Sequence, residues 1–465
     1  MSRPKVGLLG LTLEFYERGG PELREGRERW VRQKVAPALE AVAEVRFGGA
    51  VFTREAVEAR VAEFEAAGCD GICVILLTYS PSLIAAPALQ RTRLPIVVWN
   101  TQELFAVDES YDSAALIANH GVHGTHDLCN VLSRAAVDFH YVTSHLDDDS
   151  ATVELADFFA AAAAAGKLRR ARLGLLGYPF PGMGDFGLDT THMATTLGCA
   201  WEAVTVSEYV RRAAGADAGD VAGLVGQYRE SYEIAADITD QELAATARAE
   251  LAVRGIVADR RLDALSYQFL AFGEDDRVET LPFVAASRMM AEGIGFGGEG
   301  DLISAAGTCL LNWLCPPASF SEIFTIDFAG NAVLLSHMGE ANAAMHRTDR
   351  TLRMVKRPKG IVPTRAAQLA LATTFAPGPA TLMALTLSAG GQWRIIAAPI
   401  TVEDFGPLDQ LATPHTKAAP AGDVRDFLTA YATAGGPHHL AVCFGNARPR
   451  LEMASRLIGA DFWEV

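Results

Sequence analysis

The stretch CDGICVILL, Cys69–Leu77, limits the possible folds more than any other part of the chain. From Ile72 onward every side chain is apolar, so both faces of the segment must be covered. A strand inside a parallel sheet meets that demand, because crossover helices lie on both of its faces. The neighbouring segments supply the rest of such a sheet. KVGLLGL (5–11) and LPIVVWNTQ (94–102) are further apolar strands, and EVRFGGAVF (44–52) reads as a strand running into a turn. PELREGRERWVRQKVAPALEAVA (21–43) and REAVEARVAEFEAAG (54–68) read as helices, the second stopped by Gly68. Strands alternating with helices predict βαβ units.

A second unit of this kind follows. VELADFFAAAAAAGKLRRA (153–171) predicts a helix ending at Gly166, and RLGLLGY (172–178) predicts a strand. FPGMGDFG (180–187) is a glycine-rich loop at that strand's C-terminal end, where open α/β sheets bind ligands. DQELAATARAELAVRGIVADRRL (240–262) reads as a long helix and ALSYQFLAF (264–272) as a strand. After residue 325 the pattern changes to short β-rich runs separated by Gly, Pro and Asp: GNAVLLSHM, ATLMALTLSAGGQWRIIAAPITVED and HHLAVCFG. LTLSAGGQWRII predicts a hairpin turning at Gly390-Gly391, and MASRLIGADFWEV a closing helix and last strand. With 465 residues and half of them hydrophobic, more than one core is expected. The predicted fold is α/β: Rossmann-like parallel-sheet domains at 1–170 and 171–325, then a C-terminal antiparallel β-barrel-like domain at 326–465.

The formal net charge of -16 argues against nucleic acid or an anionic membrane as a partner. The apolar run GICVILLTYSPSLIAAPAL breaks at Tyr79-Ser80-Pro81, and the N-terminus has no signal-peptide pattern, so neither a membrane span nor secretion is expected. The seven cysteines are odd in number, form no CxxC, and mostly sit in apolar runs. They read as reduced, buried thiols of a cytoplasmic protein.

Four acidic and imidazole positions could together hold a divalent cation through oxygen and nitrogen. They are Glu299 in GFGGEGDLISAAG, Glu322 in ASFSEIFTIDF, His337 in GNAVLLSHMGEAN, and one of His438-His439 in AGGPHHLAVCF. Such a set suits a borderline-hard ion such as Mn²⁺, with open positions for substrate hydroxyls. Each has a plainer reading. Glu299 could serve a helix N-terminus, as could Asp301. A lone histidine after an apolar run is more often a core residue. Glu322 lies between Phe320 and Phe324 at period two, which would put it on their face of a strand. Adjacent histidines on a regular strand point to opposite faces, so only one of His438 and His439 is expected to ligate.

The order of these segments resembles the L-arabinose isomerase family, which carries F-x-G-E-G-D, T-S-F-M-E-D-Y, G-x-H-M-L-E and G-G-x-H-H-T motifs in the same sequence. Upstream, AAGCDGICVILLTYSPS, VVWNTQE, ANHGVHGTHDL and FHYVTSHLDDD are similar to further family segments. The resemblance covers nearly the whole chain and implies a member of the arabinose/fucose isomerase superfamily. It implies two Rossmann-like domains, a barrel-type C-terminal domain, and Mn²⁺, or alternatively Co²⁺ or Mg²⁺, held by Glu299, Glu322, His337 and His439. It implies an aldose–ketose isomerase in which Glu299 and Glu322 form the acid/base pair of a cis-enediol mechanism. It further implies a homo-oligomer, trimer or hexamer, with the active site between subunits and His123 supplied by the adjacent chain.

The substrate-facing positions depart from the family. Its E-D-Y is Glu322-Ile323-Phe324 here, its G-S-Q-H-L-Y is Gly10-Leu11-Thr12-Leu13-Glu14-Phe15, and a loop glutamine corresponds to His120. Glu14, Gln102, His120, His123 and His438 are the expected substrate-binding residues. The departures imply a substrate that need not be L-arabinose, and Glu14 and His120 point to a differently functionalised sugar or polyol. The competing class is a non-catalytic sugar-binding or regulatory protein on the same scaffold. A dinucleotide-dependent enzyme is disfavoured, because no GxGxxG stands between a strand and a helix.

Overall fold

The computed structural model describes residues 3–148, 150–358, 360 and 362–465. The chain forms two compact units, Met1–Gly166 and Lys167–Val465. In the first, β1 (Lys5–Leu11), β2 (Glu44–Arg46), β3 (Gly71–Leu76), β4 (Ile96–Asn100) and β5 (His140–Thr143) form a parallel sheet of order β2-β1-β3-β4-β5. Every residue of β3 is buried, as its unbroken apolar run requires. The strand order reverses direction between β1 and β3. In doubly wound sheets that is where the C-terminal loops part to leave a crevice.

The second unit contains a parallel sheet of order β10-β9-β6-β7, built from β6 (Arg172–Leu176), β7 (Ala200–Val204), β9 (Ala264–Tyr267) and β10 (Gly295–Gly297). The run ALSYQFLAF is a strand only as far as Tyr267; Phe269–Gly273 turns helical, with Gln268 capping Leu270. A small sheet joins β8 (Glu233–Ile234), β13 (Arg353–Lys356) and β14 (Leu369–Leu371) in the order β14-β13-β8.

The remaining strands form a barrel. They are β11 (Ala318–Asp327), β12 (Ala332–Ser336), β15 (Gly378–Leu387), β16 (Trp393–Val402), β17 (His415–Pro420) and β18 (His439–Phe444). The antiparallel order β15-β18-β11-β12-β17-β16 closes when β16 pairs back onto β15. β19 (Asp461–Glu464) adds to β16 in parallel. Closure removes the exposed strand edges that an open sheet would leave. β15 and β16 are the expected hairpin, turning through Ala389–Gly391. The first barrel strand begins at Ala318, ahead of residue 326.

Among the described residues no helix is long and apolar enough to cross a membrane. None of the seven cysteines is in a disulfide. Burial pushes Cys129 up to about 11 and Cys199 to about 12, so neither is a ready nucleophile.

Candidate metal centre

Three adjacent barrel strands set out the first part of the site. In the register of β11 and β18, Glu322 pairs with His439; in that of β11 and β12, Glu322 pairs with Ser336. His337 follows Ser336 directly, so Glu322 lies between the two imidazoles. Cross-strand partners are near neighbours on one face of a sheet. One ligand atom from each of Glu322, His337 and His439 lies within 4.8 Å of the others.

The acid from GFGGEGD arrives from β10, whose end leads through Gly298-Glu299-Gly300-Asp301 into the helix Leu302–Leu314. Glu299 sits at φ 59, a left-handed conformation that costs a non-glycine residue roughly 1 kcal/mol or more. Two donors hold its carbonyl there: the Phe180 N–H at 2.9 Å and Gln268 Nε2 at 3.3 Å. Its carboxylate faces His439 Nε2 at 3.5 Å and His438 Nε2 at 3.7 Å, and these three residues form a second group with ligand atoms within 4.8 Å. The two groups share His439. Gly298 is required by close approach, since a Cβ there would lie 2.8 Å from His337 Cε1. Gly300 has φ +85, and its Cβ would meet the Tyr178 carbonyl at 2.5 Å.

The histidines are oriented from behind. His439 Nδ1 donates to Asp301 (3.0 Å), His337 Nδ1 to Glu340 (2.7 Å), and His438 Nδ1 to Asp185 (2.5 Å). A carboxylate on Nδ1 fixes the tautomer and turns Nε2 toward an ion, the usual backing of a metal-ligating histidine. Among the described residues the Nε2 atoms of His337, His438 and His439 are buried and make no hydrogen bond, those of His438 and His439 standing 3.7 and 3.5 Å from the Glu299 carboxylate. Three orphaned imidazole nitrogens beside two carboxylates fit a divalent cation through N and O ligands. The plainer reading of His337 and His439 as satisfied core residues fails on those atoms.

Asp301 performs both roles open to it in the sequence. Its Oδ1 accepts from the Ile303 and Ser304 N–H groups at 2.8 and 2.9 Å, capping the helix, while Oδ2 holds His439. Burial by itself would lower the His439 imidazole, but Asp301 and Glu299 reverse this and raise it to about 9. Burial would raise the Glu299 carboxyl, yet the facing imidazoles of His438, His439 and His337 hold it down at about 2. Without an ion, Glu299 and His439 therefore face each other as carboxylate and imidazolium.

Two strand-face expectations change. His438 precedes β18 rather than lying in it, so the alternation of a regular strand does not separate it from His439. Their rings lie 4.0 Å apart and both address Glu299. The register of β11 also shifts between Ile323 and Thr325. Phe320 is fully buried against His337 and His439, at 4.7 and 4.9 Å, while Phe324 is 46% exposed. The bulge breaks the period that would have put both rings beside Glu322.

Asp185, Phe186, Glu340 and Tyr267 belong to the site but were not singled out in the sequence. Asp185 and Phe186 come from the FPGMGDFG loop, and Phe186 stacks on His439 at 5.5 Å. That loop was legible as a ligand loop without its side chains being assigned. Glu340 stands three residues after His337, and Tyr267 donates to it.

Of the other expected residues, all in the first unit, His120 and His123 lie together with Tyr16 and Tyr79. Tyr16 shares a hydrogen bond with His120 Nε2 at 2.8 Å. His120 lies 5.3 Å from the His123 ring, which stacks on Tyr79 at 4.8 Å. Burial, then the neighbouring His123, lowers the His120 imidazole and keeps it neutral. Gln102 donates to the Leu104 carbonyl at 2.8 Å, and Glu14 is exposed at the start of the helix Glu14–Glu17.

Three family models together cover most of the chain. Residues 24–169 match the fucose/sulfoquinovose isomerase N-terminal domain, 187–314 the L-arabinose isomerase central domain, and 317–461 the L-arabinose isomerase C-terminal domain. The chain belongs to the arabinose/fucose isomerase superfamily. An L-arabinose isomerase from Acidothermus cellulolyticus is 28% identical over 84% of this chain and 80% of its own. Those of Mycolicibacterium smegmatis and Nocardioides sp. are 24% and 25% identical, over 85% and 84% of this chain and 80% of each relative. The alignments thus run along most of both chains at low identity.

Proposed function

We propose that this superfamily member is a metal-dependent aldose–ketose isomerase whose substrate is a sugar other than L-arabinose. The convergence of three carboxylate-backed, partnerless Nε2 atoms with Glu299 and Glu322 carries this reading. Glu299, Glu322, His337 and His439 would hold the ion, which we take to be Mn²⁺, with Co²⁺ or Mg²⁺ as alternatives; His438 is a further nitrogen within reach of Glu299. The bound cation would polarise the sugar carbonyl and the neighbouring hydroxyl.

The two glutamates differ in their surroundings. Glu299 faces imidazoles and stays ionised, which suits anchoring charge. Among the described residues the Glu322 carboxylate takes no hydrogen bond, leaving it free to carry a proton from C2 to C1 through a cis-enediol. Phe186, Phe320 and the buried imidazoles exclude water from this transfer. In our reading the cluster around His120 and His123 serves the site of a neighbouring chain in a homo-oligomer.

The test is an assay of Mn²⁺-loaded protein on a panel of aldoses and ketoses. We expect turnover of at least one pair and a loss of about 10²–10⁴-fold in Glu322→Gln. Best turnover on L-arabinose would refute the substrate claim. Metal binding without turnover of any sugar would favour the non-catalytic reading.

A further inference from the structure

Arg357 directly follows β13, and its backbone N–H donates to the Gln368 carbonyl at 3.0 Å, which fixes its main chain. Its side chain is not satisfied. Nε and Nη1 are both buried, and neither has a partner among the described residues. Arg60 and Arg394 also bury an Nε, but their outer nitrogens donate to the carbonyls of Gly49 and Ala434. The Arg357 guanidinium has no such bond among the described residues. Two buried guanidinium nitrogens without acceptors carry a desolvation cost that an anionic partner would relieve.

Its surroundings tie it to the metal centre. Arg357 lies over the Phe283 ring, 5.7 Å from the centroid. That ring packs on Gly339, where a Cβ would lie 2.6 Å from it. Burial weakens the guanidinium's hold on its proton, and the nearby Glu340 carboxylate opposes this. Glu340 is already engaged by Tyr267 and by His337 Nδ1. One ring, Phe283, thus touches both the guanidinium and Gly339, which stands two residues after His337.

We infer that Arg357 receives an anionic group of the substrate, so that the sugar is acidic: a uronate or a sugar phosphate. This rests on the isomerase reading. The planar fork of a guanidinium matches two oxygens of a carboxylate or phosphate, and such charge-assisted pairs are the stronger hydrogen bonds.

The test measures kcat/KM of the full-length, Mn²⁺-loaded protein for a neutral aldose, the corresponding uronate and its phosphate monoester. The expected result is a preference of about tenfold or more for one anionic sugar, and the better of the two identifies the group. Arg357→Met should bring that preference close to unity, chiefly through KM, with Arg357→Lys intermediate because it keeps charge without the fork. Should the Met variant fail to fold, the same ratio in Arg357→Lys decides. A second readout is the shift in Tm given by an aldonate and by a neutral alditol. Neutral sugars turned over best, with a ratio indifferent to Arg357, would overturn the inference and leave the isomerase reading standing. Arg357-dependent stabilisation by the aldonate without turnover of any sugar would support the anion site and sink the isomerase reading. Neither turnover nor aldonate stabilisation would overturn both.

Discussion

At the scale of single residues, the site depends on carboxylates that sit behind its ligands. Asp301 holds both a helix cap and His439, so Asp301→Ala removes two functions at once. Loss of the cap should cost about 1 kcal/mol of stability. Loss of the histidine's partner should weaken metal binding by about 10- to 100-fold. Thermal melts and a Mn²⁺ titration separate the two; an unchanged metal affinity would mean that Asp301 serves the helix alone. The raised His439 makes metal binding pH-dependent. Its imidazole is lifted from 6.5 to about 9, so at neutral pH it holds a proton that an incoming ion must displace. Affinity should climb with pH and level off above about 9, with proton release at pH 7 visible by calorimetry in buffers of different ionisation enthalpy. An affinity flat across this range would remove His439 from the ligands. The same shift means that the stability of the ion-free protein drawn from this charge is full below about 6.5 and is lost as pH rises through about 9. The sequence showed which acids and histidines to examine, but not their backing. Asp185 and Glu340 gain meaning only when His438 and His337 turn toward them, and contacts of that kind have no sequence period.

At the scale of elements, β10 and its following turn are shaped by what they must avoid touching. Gly298→Ala would push a methyl group into the His337 ring, and Gly300→Ala would force a left-handed residue against the Tyr178 carbonyl. The first should reduce Mn²⁺ affinity with little loss of fold. The second should destabilise the whole protein by about 1–3 kcal/mol, measured by denaturant titration. Phe320 is the floor of the site, buried against Phe296, His337 and His439. Phe320→Ala should cost about 3–5 kcal/mol. The elements themselves were largely legible, because βαβ alternation and barrel strands both leave strong patterns. β3 is apolar throughout, and the β15–β16 hairpin turns where its glycines predict. The sequence did not disclose the bulge in β11 or the exclusion of His438 from β18. Both are set by pairing with a partner strand, which the period of a segment on its own does not encode.

At the scale of the whole molecule, the candidate ligands all lie in Lys167–Val465, while Glu14, Gln102, His120 and His123 lie in Met1–Gly166. In the proposed oligomer each site draws its second set from a neighbouring chain. His123→Ala and Glu322→Gln should each be inactive alone and regain part of the activity when unfolded and reassembled together. No recovery in oligomers shown to be mixed would place both clusters in the service of a single chain. The central claim is that Glu322, His337 and His439, with Glu299, hold one catalytic cation. Its most direct test is a Mn²⁺ titration of metal-stripped protein beside His439→Ala and His337→Ala, followed by calorimetry. The account predicts one high-affinity ion per chain in the parent protein and its loss in both variants. Equal binding by all three proteins, or none by the parent, would contradict it.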